Sequence, residues 1–114
     1  WKSLDNRQKV LNLIGLATKA GKTASGEFST EKAVKTGKAS LVIVSEEASD
    51  NTKKMFSNMC TYYKVPLYML GEKEELGHAM GKEMRASLAI LDEGLAKAVE
   101  KQMKLIGGSE HESK

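Results

Sequence analysis

The chain has a single cysteine, Cys60, a single proline, Pro66, few aromatic residues and no long apolar run. Each scarcity excludes something. A lone cysteine cannot close an internal disulfide, and with His78 and His111 far apart in the chain an N/S zinc site is not expected. No stretch approaches the ~18 apolar residues that a membrane-crossing helix needs, so no membrane partner is expected. The first residues, Trp1-Lys2-Ser3-Leu4-Asp5, show no signal-peptide apolar core, and with the lone thiol this predicts a reducing, cytoplasmic setting. Neither charge sign dominates: 18 Lys and Arg against 15 Asp and Glu leave a net +3, which permits a polyanionic partner without demanding one.

What is present is the balance of an ordinary globule, 40% hydrophobic and 29% charged over 114 residues. That length fits one domain, able to bury a core without metal or disulfide staples. Asp5 or Asn6 can cap a first helix with Val10, Leu13, Ile14 and Ala17 on its inner face, ended by Gly21. Thr23-Ala24-Ser25 is a short edge strand or loop, and Gly26 opens a second helix closed by Gly37. Leu41-Val42-Ile43-Val44 reads as a strand buried on both faces. Ser49 caps a helix carrying Met55, Phe56, Met59, Cys60 and Tyr63 at helical spacing. A strand over 65–70 follows, with Pro66 at its start. Lys73 to Met80 is a short helix, Leu88 to Leu91 a third clear strand, and Asp92 caps a last helix with a stripe through Leu95, Val99 and Ile106. This alternation predicts a three-layer α/β/α sandwich around a mixed sheet of about four strands, a single domain over 1–106. The polar segment 107–114 is expected to be a disordered tail.

Catalytic patterns fail one by one. Gly15-Leu16-Ala17-Thr18-Lys19-Ala20-Gly21-Lys22-Thr23 imitates a P-loop, but five residues separate its glycines instead of four. It also ends a helix, whereas a phosphate-binding loop opens one. Cys60 sits on the apolar stripe of its helix, where a structural thiol is the better reading. His78 has no nucleophile or carboxylate assigned to it. Glu46 and Glu47 can hold a metal or line a solvated loop, and the loop reading suffices. No cofactor, metal or catalytic residue is expected.

Two segments carry more interest. Lys32 and Lys35 share a helix face in the most basic stretch of the chain, and Lys19 and Lys22 precede that helix. In Gly81-Lys82-Glu83-Met84-Arg85-Ala86, between a helix and a strand, Met84 can stack on an unpaired base with Arg85 on phosphate, or fold back onto the core.

These segments, with their neighbours, resemble one family. The motifs are Leu16-Ala17-x-Lys19-Ala20-Gly21-Lys22, Gly26-x5-Lys32-Ala33-Val34-x2-Gly37-Lys38-Ala39, the run from Leu41 to Ser49, and Glu75-Leu76-Gly77-x-Ala79-x-Gly81-Lys82. Together they resemble the ribosomal L-seven-Ae superfamily of kink-turn RNA-binding proteins, and within it the bacterial YlxQ-like branch, over roughly residues 5 to 103 in the expected order. The resemblance implies an α/β/α sandwich that binds kinked stem-internal loops in RNA, with a ribosome or another ribonucleoprotein as its expected setting. By position, one implied RNA surface is Ser25, Gly26, Glu27, Phe28, Ser29 and Lys32; the other is Lys82, Glu83, Met84, Arg85 and Ala86. Lys19, Lys22 and Lys35 would add phosphate contacts. Phe28-Ser29 stands where better-characterised family members carry Asn-Glu to read guanine edges. An exposed Phe28 equally suits a protein-interaction module that kept the fold with weak or lost RNA affinity.

Overall fold

A computed structural model of the protein describes residues 5–112, with side chains described as far as 106. Its elements follow in strict alternation: α1 (Asn6–Lys19), β1 (Thr23–Ser25), α2 (Glu27–Lys35), β2 (Leu41–Val44), α3 (Asp50–Tyr63), β3 (Leu67–Met69), α4 (Lys73–Ala79), β4 (Ser87–Ile90) and α5 (Glu93–Glu112). The four strands lie in the order β1-β4-β2-β3. β2 and β3 are parallel, while β4 runs antiparallel to both β1 and β2, so the sheet is mixed.

Alternation along the strands divides the core in two. Leu41, Ile43, Leu88 and Ile90 point to one face and pack with Val10, Ile14 and Ala17 of α1, Leu76 of α4 and Val99 of α5. Val42, Val44 and Ala89 point to the other and pack with Ala33 and Val34 of α2 and with Phe56 and Cys60 of α3. The layers are therefore α1, α4 and α5, then the sheet, then α2 and α3. All four residues of β2 are fully buried, as the unbroken β-branched run predicts for a central strand. Cys60 is buried in the second cluster, and desolvation pushes its thiol up to about 11, far from a reactive thiolate.

Local chemistry sets the element ends. The Asp5 carboxylate accepts from the Gln8 N–H at 2.7 Å, and the Ser49 hydroxyl accepts from the Thr52 N–H at 3.1 Å. The Asp92 carboxylate accepts from the Leu95 N–H at 2.8 Å. Two strands differ from their expected bounds. β3 is shorter than 65–70, because the Val65 N–H turns back to the Cys60 carbonyl to close α3; Pro66 precedes the strand and its carbonyl accepts from Val42. β4 begins one residue earlier, at Ser87. α5 is helical as far as Glu112. Extending a formed helix requires only one further hydrogen bond per residue. Residues 1–4 and 113–114 lie outside the described part of the chain.

Phe56 is the largest fully buried side chain. Phe56→Ala should lower unfolding free energy by about 3–5 kcal/mol, read as a shift in urea midpoint at unchanged slope. A loss under about 1 kcal/mol would contradict the assignment of Phe56 to the core.

Candidate nucleic-acid interface

The junction between β1 and α2 is built on Gly26. Its φ of +88° is a backbone conformation that side-chain-bearing residues rarely adopt. In that conformation its N–H donates to the Ser87 carbonyl at 2.9 Å, and its carbonyl accepts the first helical bond, from Thr30 at 3.0 Å. Gly26 provides no side-chain cap, so the first-turn amides of α2 have no intrahelical acceptor and point outward at the positive end of the helix dipole. Glu27, Phe28 and Ser29 are all exposed there, Phe28 at 77%. The Glu27 carboxylate occupies the same dipole end and opposes a phosphate placed directly beside it.

The second segment leaves α4 and returns to β4. Gly77 lies against it so closely that an added Cβ would sit 1.9 Å from the Glu83 carbonyl oxygen. Gly81, at φ +69°, lets the chain turn out of the helix, and the Lys82 N–H donates back to Gly77 at 2.8 Å. The Arg85 N–H donates to the Lys73 carbonyl at 3.0 Å. Met84 stands 64% exposed, which decides against its folding back onto the core.

The two segments meet through Arg85. Its Nε donates to Ser25 Oγ at 3.1 Å, while Nη1 donates to the carbonyls of Met84 at 3.0 Å and Glu83 at 3.3 Å. One guanidinium thus ties the end of β1 to the 81–86 loop. Beneath it, the buried hydroxyls of Ser87 and Thr30 lie 3.4 Å apart, joining β4 to α2.

Not every implied site residue belongs to this junction. Ala86 is half-buried against the second core cluster, and its carbonyl accepts from the Ser45 N–H; it anchors the loop more than it presents a surface. Lys22 lies at the far end of β1 from Ser25, where its carbonyl accepts from Leu91. Lys35 is at the far end of α2, with its ammonium 2.7 Å from the Glu31 carboxylate. Lys22 and Lys35 therefore stand away from the Arg85–Ser25 contact. Lys32 is exposed in the last turn of α2 and Lys82 in the 81–86 loop, whereas Lys19 lines a cleft between α1 and α4.

Residues outside the implied RNA surfaces also hold the platform. Arg7 of α1 donates to both carboxylate oxygens of Glu75 in α4, one bond being 2.7 Å from Nη1 to Oε2. Glu75 also accepts from the Glu72 N–H at 3.0 Å and closes a capping box with Glu72. The Glu72-x-x-Glu75 spacing signals the box; nothing local signals Arg7, 68 residues away. Glu47 accepts from the Lys73 N–H at 3.0 Å, capping the same helix. Among the described residues no group of three His, Cys, Asp or Glu side chains is placed to hold a metal ion.

Comparison with known proteins agrees with this architecture. The profile of the ribosomal protein L7Ae/L30e/S12e/Gadd45 family matches residues 8–100. The chain is 44% identical over 92 residues to a protein named RNA-binding protein YlxQ from Enterococcus faecium, covering 81% of this chain and 88% of that one. It is 42% identical over 84 residues to the protein of the same name from Bacillus subtilis, covering 74% and 84%. A solved structure of a Bacillus halodurans protein of unknown function superposes with a TM-score of 0.82 at 34% identity, over 84% of this chain and 97% of that one. The fold is also that of the Giardia lamblia 15.5 kD RNA binding protein, with a TM-score of 0.77 at 22% identity over 95% and 92% of the two chains.

Hydrogen bonds from Arg7 and from the Glu72 N–H hold the Glu75 carboxyl below its ordinary 4.5. A depressed carboxylate pKa contributes stability above the unfolded value, and that contribution is lost as pH falls through the folded one. Wild type should therefore lose more stability than Glu75→Gln between about pH 5 and pH 3. Parallel urea melts check this; identical pH slopes would contradict it. With the fold, the junction and these relatives in view, the chain belongs to the ribosomal protein L7Ae/L30e/S12e/Gadd45 family.

Proposed function

We propose that this protein is a non-catalytic RNA-binding protein whose target is a kinked stem-internal loop. The observation that carries the reading is the Arg85–Ser25 junction, which brings the start of α2 and the 81–86 loop into one continuous surface. The names of the two YlxQ relatives support RNA as the partner.

The chemistry divides between the segments. The uncapped amides of α2 and the Lys32 ammonium meet backbone phosphates. Phe28 offers a stacking face in place of hydrogen-bonding to a base edge. Met84, beside Lys82, covers an unpaired base that has left its stack. Ser25, Gly26 and Arg85 hold the two segments in register, and Glu27, Ser29 and Glu83 line the rim. Lys19, Lys22 and Lys35 lie off the junction and would act on more distant phosphates. A ribosome or another ribonucleoprotein in the cytoplasm is the setting this chemistry fits.

Lys32→Glu should weaken RNA binding by at least fivefold and reduce the log–log salt slope by about 1. Arg85→Glu should weaken it further, because it also releases Ser25. Fluorescence titration at several salt concentrations reads both. Unchanged affinity in both variants would exclude this surface.

The exposure of Phe28 favours one second reading, a protein-docking module on the same fold. In that case Phe28→Ala abolishes capture of a nuclease-resistant protein partner while RNA titrations stay flat. If Phe28 serves RNA, the same variant weakens RNA binding.

A further inference from the structure

The cleft between α1 and α4 is not part of the junction, yet it opens beside it. It encloses about 620 Å³, within the ~300–1,000 Å³ range of sites that hold small molecules or single groups. His78 lines this cleft and also the groove formed by Glu74, Lys82, Glu83 and Met84, so the two are neighbours that share one side chain. The close packing that creates it is visible at Gly15, where an added Cβ would lie 3.0 Å from the Ala79 carbonyl oxygen.

The lining separates into functions. Leu16, 55% exposed, supplies an apolar surface at the mouth. Gln8 and Asn12 lie one turn apart on the rim, the Gln8 amide donating to Asn12 Oδ1 at 3.0 Å. That bond leaves the Asn12 amide N–H groups as donors and the Gln8 carbonyl as an acceptor. Lys19 is exposed and has no carboxylate within ion-pair distance among the described residues. The carboxylate in the wall, Glu75, is neutralised by Arg7. An apolar contact, a donor–acceptor pair and a cation within one cleft match the base, base edge and phosphate of a nucleotide.

We infer that the α1–α4 cleft holds an unpaired nucleotide of the same RNA, next to the one covered by Met84. The inference rests on the RNA-binding reading above and extends the contact from the 81–86 loop, past His78, onto α1. In it the base lies on Leu16, its edge meets Gln8 and Asn12, and Lys19 meets the phosphate.

The test uses the full chain and two kink-turn RNAs, identical except that one carries three extra unpaired nucleotides beside the flipped base. Wild type should bind the extended RNA about 5–10-fold more tightly, on the order that one or two added hydrogen bonds contribute. Leu16→Glu and Asn12→Ala should each erase that gain and leave the unextended RNA within about twofold of wild type. Both side chains are exposed, so circular dichroism should be unchanged. A photoreactive uridine in the extension should crosslink to peptides containing residues 8–19 or 75–79. No gain in wild type, a gain that survives Leu16→Glu, or crosslinks confined elsewhere would overturn the cleft assignment while leaving the junction standing. Failure of wild type to bind either RNA would overturn both.

Discussion

The antiparallel pairing of β1 on β4 sets the geometry on which the rest depends. With Ser25 opposite Leu88, the end of a three-residue strand lies beside the start of β4. Gly26 then bonds to Ser87, and Arg85 reaches Ser25 across a separation of 60 residues. A slip of one residue would turn Thr23 and Ser25 to the opposite face and break the Arg85 bond. Because β4 is buried between β1 and β2, this register is held by the core and not by the exposed loops themselves.

The platform on the other side is α4, a helix of only seven residues. So short a helix has little intrinsic stability, and its position is fixed from outside. Leu76 anchors it in the core, Arg7 and Glu47 bind its first turn, and its Gly77 backbone presses against Glu83. Rigidity reaches the 81–86 loop through these contacts. Met84 and Lys82 can therefore stay exposed without the loop collapsing onto the protein, which is the pre-organisation a recognition surface needs.

Much of the architecture is legible in the sequence because it is local. The run Leu41–Val44 announces a central strand, and Asp5, Ser49 and Asp92 mark helix starts by their side-chain oxygens. Gly21 and Gly37 mark helix ends through positive φ. What is not legible comes from long-range placement. No local pattern specifies that β4 inserts between β1 and β2, or that Arg7 reaches Glu75. The lysines show the same limit. Lys22, Lys32 and Lys35 fall close together in sequence, yet Lys22 precedes a short strand and Lys32 and Lys35 stand in the last turn of the nine-residue helix that follows it. Phe28 and Met84 stand at the positions that the family resemblance implies, and only the structure shows both exposed around one junction.

Under the proposed function, the Arg85–Ser25 junction recognises the shape of an RNA and not merely its charge. The most direct measurement is titration of labelled kink-turn RNA beside a straight duplex of matched composition, at two salt concentrations. Shape recognition predicts tighter binding to the kinked RNA at both salts, with the preference kept while the electrostatic contribution shared by the two RNAs is screened. Equal, salt-sensitive binding to the two RNAs would contradict it and leave only a general basic surface.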